Sequence, residues 1–427
     1  MKYFLPFAGC LLITLPALSQ RSCGAYGYRQ QQLNLHPALA VSVAANEQFT
    51  RRQLELESTA VTGTTPDRGG NSPSHLVTIP VVIHVLYNTS QENVSDAQIR
   101  SQIDALNRDY RKQNPDTSNI PAYYSSFAAD CGFQFVLAGL DTNGKPTTGI
   151  VRKHTNITAF SLEDAMKYSP SGGDDAWDRD RYLNIWVCNL QGTTIGYSSL
   201  VGGPKESDGI VVDYTAFGTT GTATAPYNLG RTATHEIGHW LNMIHVWGDA
   251  DCGDDQVADT PPQSAATYGD PTGVVVSCGN TPYGNMYMNY MDFTDDLGMH
   301  MFTYGQRARM RTVFSPGGFR YVLLSTTAAS VAALSTDTPT KAGTAAERPR
   351  MLSLYPNPAV SQVSVKMSDA DCLGSILEVY DQTGQRVMTS RVTDLSFGLD
   401  VSRLSGGVYF IRINDGKTAA SYKFVKL

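Results

Sequence analysis

Two histidines and a glutamate in the stretch HEIGHWLNMIH are typical of a hydrolytic metal site. His235 and His239 are four residues apart, so on an α-helix both imidazoles project from one face with Glu236 beside them. Zinc held by three protein side chains keeps an open position for a water and polarises the scissile carbonyl. We therefore predict zinc-dependent hydrolysis, in which Glu236 is the general base that deprotonates the zinc-bound water.

The third ligand is predicted from the residues C-terminal to the helix. No glutamate occurs between Glu236 and Glu347, which excludes a glutamate ligand from a following helix, whereas His245 stands six residues after His239. A continuous helix would carry His245 roughly 9 Å along its axis and off the ligand face, so the helix must end between the two histidines. Asn242 is the predicted break, since Asn is the best non-glycine residue for the left-handed conformation.

The size, charge and N-terminus of the chain indicate a secreted multidomain protein. With 427 residues we expect two or three domains, and a net charge of −6 without a sustained Lys/Arg run argues against nucleic acid or an anionic membrane as the main partner. Residues 1–19 have the charged start, apolar run and small residues of a signal peptide. A membrane anchor or lipidation at Cys10 is the less favoured alternative, and no later segment is apolar enough to span a bilayer.

The middle of the chain has an α+β order. Residues 20–75 are rich in polar residues and turn formers and are predicted to be a detachable pro-segment with an exposed linker. From residue 76, LVTIPVVIHVLY predicts a strand, and Ser95 with Gln98 has the spacing of a capping box before an amphipathic helix. Further strands are predicted at CGFQFVLAGL, YLNIWVCNL and DGIVVDY, followed by the HEIGH helix, which together define a catalytic domain at 76–322.

The end of the chain differs in composition from the middle. Residues 323–350 are small and polar, which predicts a flexible linker. Residues 351–427 contain short β runs (VSVKM, ILEVYD, GVYFIRI, SYKFVKL) separated by turn signals, which predicts a small β-sandwich.

HEIGHWLNMIHVWGD, CGDDQVADTPP, NMYMNYMDFTDD and MFTYGQ occur in this order and resemble the pappalysin family of metzincin metallopeptidases. The resemblance covers roughly residues 76–320. It implies a two-lobed zincin fold and a Met-turn at Met291, a methionine beneath the zinc histidines. It also implies a disulfide between Cys252 and Cys278, and a calcium-binding loop with oxygens near Asp254, Val257, Asp259 and Thr260. A solvated acidic loop is the alternative for the last feature.

Three features depart from the family pattern. Phe293 stands where many metzincins carry a tyrosine near the metal, so a hydroxyl donor must come from elsewhere. Asp270 and Gly298 stand where a second disulfide is common, and Leu297 replaces an acidic residue of members that prefer basic side chains. A preference for Arg or Lys is therefore not assumed.

Cys23, in RSCGAYGYRQQQ, begins the predicted pro-segment and is a candidate latency ligand. A thiolate in the position of the catalytic water would keep a zinc peptidase inactive, and soft sulfur suits zinc. A pro-segment acid or simple steric cover is the competing interpretation. Arg51, Arg52 and Arg68 are candidate activation sites.

The C-terminal block resembles the type A sorting domain of the type IX secretion system, through LYPNPAVSQVSV, LEVYDQTGQRV, LDVSRLSGGVYFIRI and YKFVKL. This resemblance implies a protein of the Bacteroidetes type, extracellular or on the outer-membrane surface, with the secretion machinery as a partner. A carbohydrate-binding sandwich is the alternative.

The sequence therefore predicts a secreted zinc endopeptidase acting on extracellular proteins. Two alternatives remain at this point: a surface adhesion protein with a structural zinc helix, and a zinc amidase acting on cell-wall peptides. His84 and His300 are more typical of packed histidines than of ligands.

Overall fold

A computed structural model describes residues 22–60, 76–326 and, near the C-terminus, 352–355, 358–367, 376–381, 385–392, 394, 396–414 and 421–427. The predicted signal peptide with Cys10, the candidate cleavage site Arg68 and most of the predicted 323–350 linker lie outside these residues, as does Cys372. Two compact units are present, Met1–Asp337 and Thr338–Leu427.

The first unit contains both strands and helices. Its strands are β1 Ser22–Cys23, β2 Val77–Tyr87, β3 Phe133–Leu137, β4 Ile150–His154, β5 Leu183–Cys188, β6 Thr194–Ser198, β7 Ile210–Asp213, β8 Tyr268–Gly269 and β9 Phe293–Thr294. Its α-helices are α1 Ala25–Leu35, α2 Pro37–Ala60, α3 Asp96–Tyr110, α4 Ala122–Ser125, α5 Arg231–Trp240 and α6 Tyr304–Thr312. The predicted α+β class is confirmed, and the HEIGH sequence lies on α5.

One twisted sheet organises this unit. Its order is β1-β6-β7-β5-β2-β3, with β4 pairing the second half of β2 beyond β3. All pairs are parallel except β6 with β7, so β6 runs against its neighbour near the edge of the sheet. The central strands β2 and β5 are almost continuously apolar and buried, as expected for strands covered on both faces.

Helices α3 and α5 pack on one face of this sheet. The α3 residues Ile99, Ile103 and Leu106, which are spaced by a helical turn, join the main apolar cluster, and so does Ile237 of α5. Ser95 caps α3 by accepting from the backbone N–H of Gln98. The reciprocal half of the predicted capping box is absent, because the Gln98 amide donates to Phe217 O at 2.8 Å instead.

The predicted pro-segment has more structure than its composition indicates. Residues 22–60 form a short strand and two helices that belong to the same compact unit as the catalytic residues. Strand β1 extends the sheet at β6, and Glu47 of α2 forms an ion pair with the buried Arg309 of α6. Both helices are weakly amphipathic, so the periodicity of their apolar residues does not predict them. They are held instead by contacts with the sheet and with α6.

The second unit contains two small antiparallel sheets. Its strands are β10 Leu352–Tyr355, β11 Gln362–Met367, β12 Ile376–Asp381, β13 Arg386–Arg391, β14 Ser396–Asp400, β15 Gly407–Asn414 and β16 Ser421–Lys426. They are ordered β10-β11-β14 and β13-β12-β15-β16. Val363 and Leu399 of one sheet share an apolar cluster with Val379, Ile411 and Phe424 of the other, which makes the unit a β-sandwich. Within the described residues, the helices are all too short or too polar to cross a bilayer.

Candidate metal centre

The chain bends immediately after the helix that carries His235 and His239. Helix α5 ends at Trp240, and Asn242 has φ of 72°, in the left-handed region. The Met243 N–H then donates back to Gly238 O at 3.0 Å, which satisfies a carbonyl at the end of the helix. The Asn242 carbonyl is fixed in turn by Arg309, whose Nε donates to it at 2.9 Å. The bend returns the chain toward the helix, and His245 follows it.

Three imidazole nitrogens meet at one point as a result. His239 Nε2 lies 3.1 Å from His235 Nε2 and 3.2 Å from His245 Nε2. Zinc–nitrogen bonds of about 2.0–2.1 Å in a tetrahedral site place ligand nitrogens about 3.3 Å apart. The three histidines therefore fit a metal ion with three protein ligands.

The remaining ring nitrogens explain why the Nε2 atoms are free to bind a metal. Nδ1 of His235 faces Tyr290 O at 2.6 Å, and Nδ1 of His239 faces Met243 O at 2.9 Å. Since a carbonyl only accepts, these Nδ1 atoms carry the protons and leave the Nε2 lone pairs directed at the common point. Nδ1 of His245 contacts the carboxylate of Asp249. Asp249 was not among the residues predicted from the sequence. Its position four residues after His245 could have indicated that its carboxylate orients this imidazole.

Glu236 lies in a buried position beside this point. It is fully buried, and neither carboxylate oxygen has a hydrogen-bond partner with good geometry among the described residues. Burial raises the pKa of Glu236 to about 8, although the neighbouring Cys23 thiol opposes the shift. Room for the carboxylate comes from Gly196 of β6, where an added Cβ would lie 3.1 Å from Glu236 Oε1. Buried orphan acceptors are rare in folded proteins, and here the carboxylate lines a cavity together with His235 and Cys23.

Met291 and Phe293 form the floor and one wall of the site. Met291 is completely buried, and a Cβ at Gly238 would lie only 2.4 Å from its sulfur, so α5 packs directly on it. Phe293 contacts the ring of His245 with centroids 4.8 Å apart. Trp247 stacks on the same imidazole at 4.3 Å. Phe293 thus contributes shape without a hydroxyl.

Cys23 of the predicted pro-segment reaches the same point from the sheet edge. Its sulfur and the three histidine nitrogens all lie within 4.8 Å of one another. Pairing of β1 with β6 places it, since Cys23 is opposite Gly196 and the Gly24 N–H donates to Gly196 O at 2.8 Å. Burial, followed by the negative charge of Glu236, raises the pKa of the Cys23 thiol.

The predicted calcium loop is closed by the predicted disulfide between Cys252 and Cys278, with Cα atoms 5.7 Å apart. Within it, the Thr260 hydroxyl lies 2.8 Å from Val257 O and 2.8 Å from an Asp255 carboxylate oxygen. Asp259 accepts from Gly305 N at 2.8 Å. Asp254 is exposed and accepts from Gln256 N. Asp255, which the sequence reasoning did not select, is the buried acid of the loop, and burial raises its pKa to about 7.

The other residues singled out in the sequence lie away from the three nitrogens. His84 is buried between Asp174 and Asn184, and His300 contacts Asp116 at 3.2 Å. Leu297 is exposed, whereas its neighbour Asp296 is buried, accepts from the Leu229 N–H, and has a pKa raised by burial to about 7. Cys131 and Cys188 are free and buried.

The family follows from this site and from comparison with known proteins. Residues 169–315 match the model of the pregnancy-associated plasma protein-A family, and residues 353–427 match that of the secretion system C-terminal sorting domain. The chain belongs to this pappalysin family of metallopeptidases and carries a type IX sorting tail. It is a secreted or surface-associated metallopeptidase.

The relatives agree with this assignment. An extracellular metalloprotease of Pyricularia oryzae is 32% identical over 249 residues, covering 56% of this chain and 75% of that protein. Mature mirolysin of Tannerella forsythia, solved with a cleaved peptide, is 45% identical, covers 59% of this chain and 97% of its own, and gives a TM-score of 0.58. A promirolysin mutant of the same organism is 40% identical, covers 71% of this chain and 97% of its own, and gives 0.64. The match to a pro-form supports synthesis as a zymogen.

Proposed function

We propose that the chain is a zinc endopeptidase in which His235, His239 and His245 bind the metal and Glu236 is the general base. The observation that carries the proposal is the convergence of three Nε2 atoms, each on a ring whose Nδ1 is already engaged, next to a buried carboxylate that makes no geometrically good hydrogen bond among the described residues. This donor set suits zinc, which accepts three histidines and keeps one position open. In this proposal Asn242 allows the chain to bend so that the three histidines converge. Met291 packs beneath the helix that carries two of them.

Zinc, when bound, polarises the scissile carbonyl and acidifies a water. Glu236 then takes the proton of that water and transfers it to the leaving amine. Its burial keeps the carboxylate close to the charge that develops and away from competing solvent. The edge of β6 offers unpaired backbone groups for an extended peptide once β1 is removed, a usual way of holding a peptide substrate.

The substrates in this proposal are extracellular proteins. The cleaved peptide in the mature mirolysin structure supports peptide-bond hydrolysis over a cell-wall amidase activity. A purely structural zinc helix has no use for a base beside an open ligand position, which disfavours the adhesion protein. The deciding experiment compares casein cleavage by the processed wild type and by a Glu236→Ala variant, as argued in the Discussion.

We also propose the domain boundaries 1–19 for the signal peptide, 20–75 for the pro-segment, 76–322 for the catalytic domain, 323–350 for the linker and 351–427 for the sorting domain. The buried side chain of Leu323 indicates that the catalytic core continues slightly past its predicted end. The secretion machinery is the proposed partner of the sorting domain.

Latency is proposed to depend on Cys23 as a fourth metal ligand. Its sulfur shares the 4.8 Å cluster with the three nitrogens, and β1 occupies the strand edge that a substrate would need. A sulfur ligand fills the open coordination position and so excludes the catalytic water.

The unprocessed Cys23→Ala chain should therefore cleave a short fluorogenic peptide faster than the unprocessed wild type. An increase of roughly tenfold corresponds to only about 1.4 kcal/mol of lost pro-segment binding. Ser22→Ala, one residue away in β1, is the matched control and should stay latent. Equal activity of the Cys23→Ala and wild-type zymogens would show that steric cover alone maintains latency.

Calcium is proposed to bind in the loop around Asp254, Val257, Asp259 and Thr260. Two adjacent acids, Asp254 and the buried Asp255, lie in this disulfide-closed loop, and a hard cation with oxygen ligands offsets their repulsion.

Calcium at about 100 times its dissociation constant should stabilise the processed enzyme by about 2.7 kcal/mol, or on the order of 5–10 °C in Tm for a domain of this size. Scanning calorimetry with calcium and with magnesium measures the difference. Asp254→Ala should reduce the shift, whereas Asp251→Ala, an exposed acid just before Cys252 and outside the predicted ligands, should retain it. A Tm independent of calcium would mean that protein contacts alone hold the loop.

A further inference from the structure

Tyr28 of α1 is inserted into a pocket on the face of the sheet opposite α5. Only 2% of its surface is exposed, and its hydroxyl donates to Asp164 Oδ2 at 2.6 Å. Its ring contacts that of Tyr197, with centroids 4.8 Å apart. Tyr28 clusters with Trp186 and Val211, whose chain neighbours Ile185 and Val212 belong to the core on the α5 side. This contact is therefore separate from the Cys23 contact with the metal centre.

The polar groups of the pocket are held by catalytic-domain residues alone. Lys167 is fully buried, and its Nζ lies 2.8 Å from Asp164 Oδ1 and 3.0 Å from Ser207 O. The Tyr197 hydroxyl donates to Asp164 Oδ1 at 2.9 Å. None of these bonds involves Tyr28, so the hydrogen bonds that shape the pocket do not depend on the pro-segment.

The pocket is chemically matched to a phenol. Its Asp164 Oδ2 atom accepts from the Tyr28 hydroxyl, and a carboxylate acceptor strengthens such a bond. Lys167 Nζ lies 5.1 Å from the Tyr28 ring centroid and 5.0 Å from that of Tyr197, so the ammonium lies against both aromatic rings. A phenylalanine would fill the same space but would leave the buried Asp164 oxygen without its donor, which is costly.

We propose that this Tyr28 pocket is a tyrosine-binding exosite that persists in the processed enzyme and there binds the released pro-segment through its tyrosine. The proposal rests on the proposed function only in taking the pro-segment to be cleaved off. Cutting the chain after residue 60 breaks no bond of the pocket. The pro-segment consequently remains a ligand and an inhibitor until it is degraded.

The experiment measures binding without catalysis. The processed enzyme carrying Glu236→Ala, which cannot cut the probe, is titrated into a fluorescein-labelled peptide of residues 22–60 with Cys23→Ser, and anisotropy gives Kd. Tyr28→Phe in the peptide should weaken binding about tenfold, the usual order for one hydrogen bond to a charged group. Tyr26→Phe is the matched control, because Tyr26 lies two residues away on α1 and is 47% exposed. Its Kd should stay within about twofold.

A second arm tests the acceptor. In an enzyme that also carries Asp164→Asn, the tenfold preference for the tyrosine peptide should shrink to about twofold or less, as in a double-mutant cycle. The proposal would be overturned if the Tyr28→Phe and Tyr26→Phe peptides bound the enzyme that retains Asp164 with equal Kd values. It would also be overturned if the parent peptide did not bind this enzyme. Should the Asp164→Asn enzyme not fold, the comparison of the two peptides still decides. Either negative result leaves peptide hydrolysis by the wild type unaffected. The exosite proposal and the proposed peptidase function are therefore tested independently.

Discussion

Replacement of Glu236 by alanine in the processed enzyme should lower kcat/KM for casein-derived peptides by about 10²- to 10⁴-fold, the range that a general base contributes. The carboxylate is buried next to the three converging nitrogens and makes no geometrically good hydrogen bond among the described residues, so its removal costs the fold little. The loss should therefore fall on kcat, with KM nearly unchanged.

The metal content separates this result from simple loss of zinc. Glu236 is not among the three proposed ligands, so the variant should retain about one zinc per chain by elemental analysis. Glu206→Ala, at an exposed glutamate in the loop before β7, is the matched control and should keep full activity. Unchanged activity of Glu236→Ala would refute the proposed base, and a zinc-free variant would show that the residue holds the metal.

The largest effect on stability is expected from Asp208→Ala. Asp208 and Arg320 are each 1% exposed in their side chains and lie 3.0 Å apart, and Asp208 also accepts from the Trp240 indole N–H at 2.8 Å. The Arg320 guanidinium covers the Trp240 ring at 3.5 Å, so three groups are joined at the last residue of α5. Removing the acid leaves a buried cation and a buried indole donor without their acceptor.

Breaking a buried pair in this way costs about 3–5 kcal/mol of unfolding free energy. For a domain of this size the loss amounts to roughly 10 °C in Tm, measured by calorimetry or by urea unfolding. Asp180→Ala removes an exposed pair with Lys205 and is the matched control, with an expected cost below about 1 kcal/mol. Similar midpoints for the two variants would contradict a structural role of the Asp208 network at the end of α5.

The three proposed histidine ligands differ in the groups that accept from their Nδ1 atoms. Two of these acceptors are close to the histidine in sequence, and one is distant. The His239 acceptor, Met243 O, and the His245 acceptor, Asp249, lie within four residues of their rings. The His235 acceptor, Tyr290 O, comes from the chain segment next to Met291. The orientation of His235 therefore depends on the fold beneath α5, whereas the other two depend mainly on the bend at Asn242.

The sequence alone determined the metal-binding pattern, because that pattern is local. HEIGH places two imidazoles on one helical face, and Asn242 gives the backbone a residue that tolerates φ of 72°, so the third imidazole needs only a short return of the chain. The two-domain organisation and the α+β class were likewise predictable from composition and strand patterns. The folded structure of residues 22–60 was not predictable, because α1 and α2 have weak periodicity and take their stability from contacts with the sheet and α6.

Only the tertiary structure decided which distant residues complete the site. Pairing of β1 with β6 brings Cys23 to the histidines, Gly196 makes room for Glu236, and Asp208 meets Arg320 behind Trp240. The same holds for Gln98, whose amide prefers the carbonyl of Phe217 to the local capping bond. These contacts join segments far apart in the chain, and their geometry is set by sheet order and by the packing of the apolar core, which no local spacing encodes.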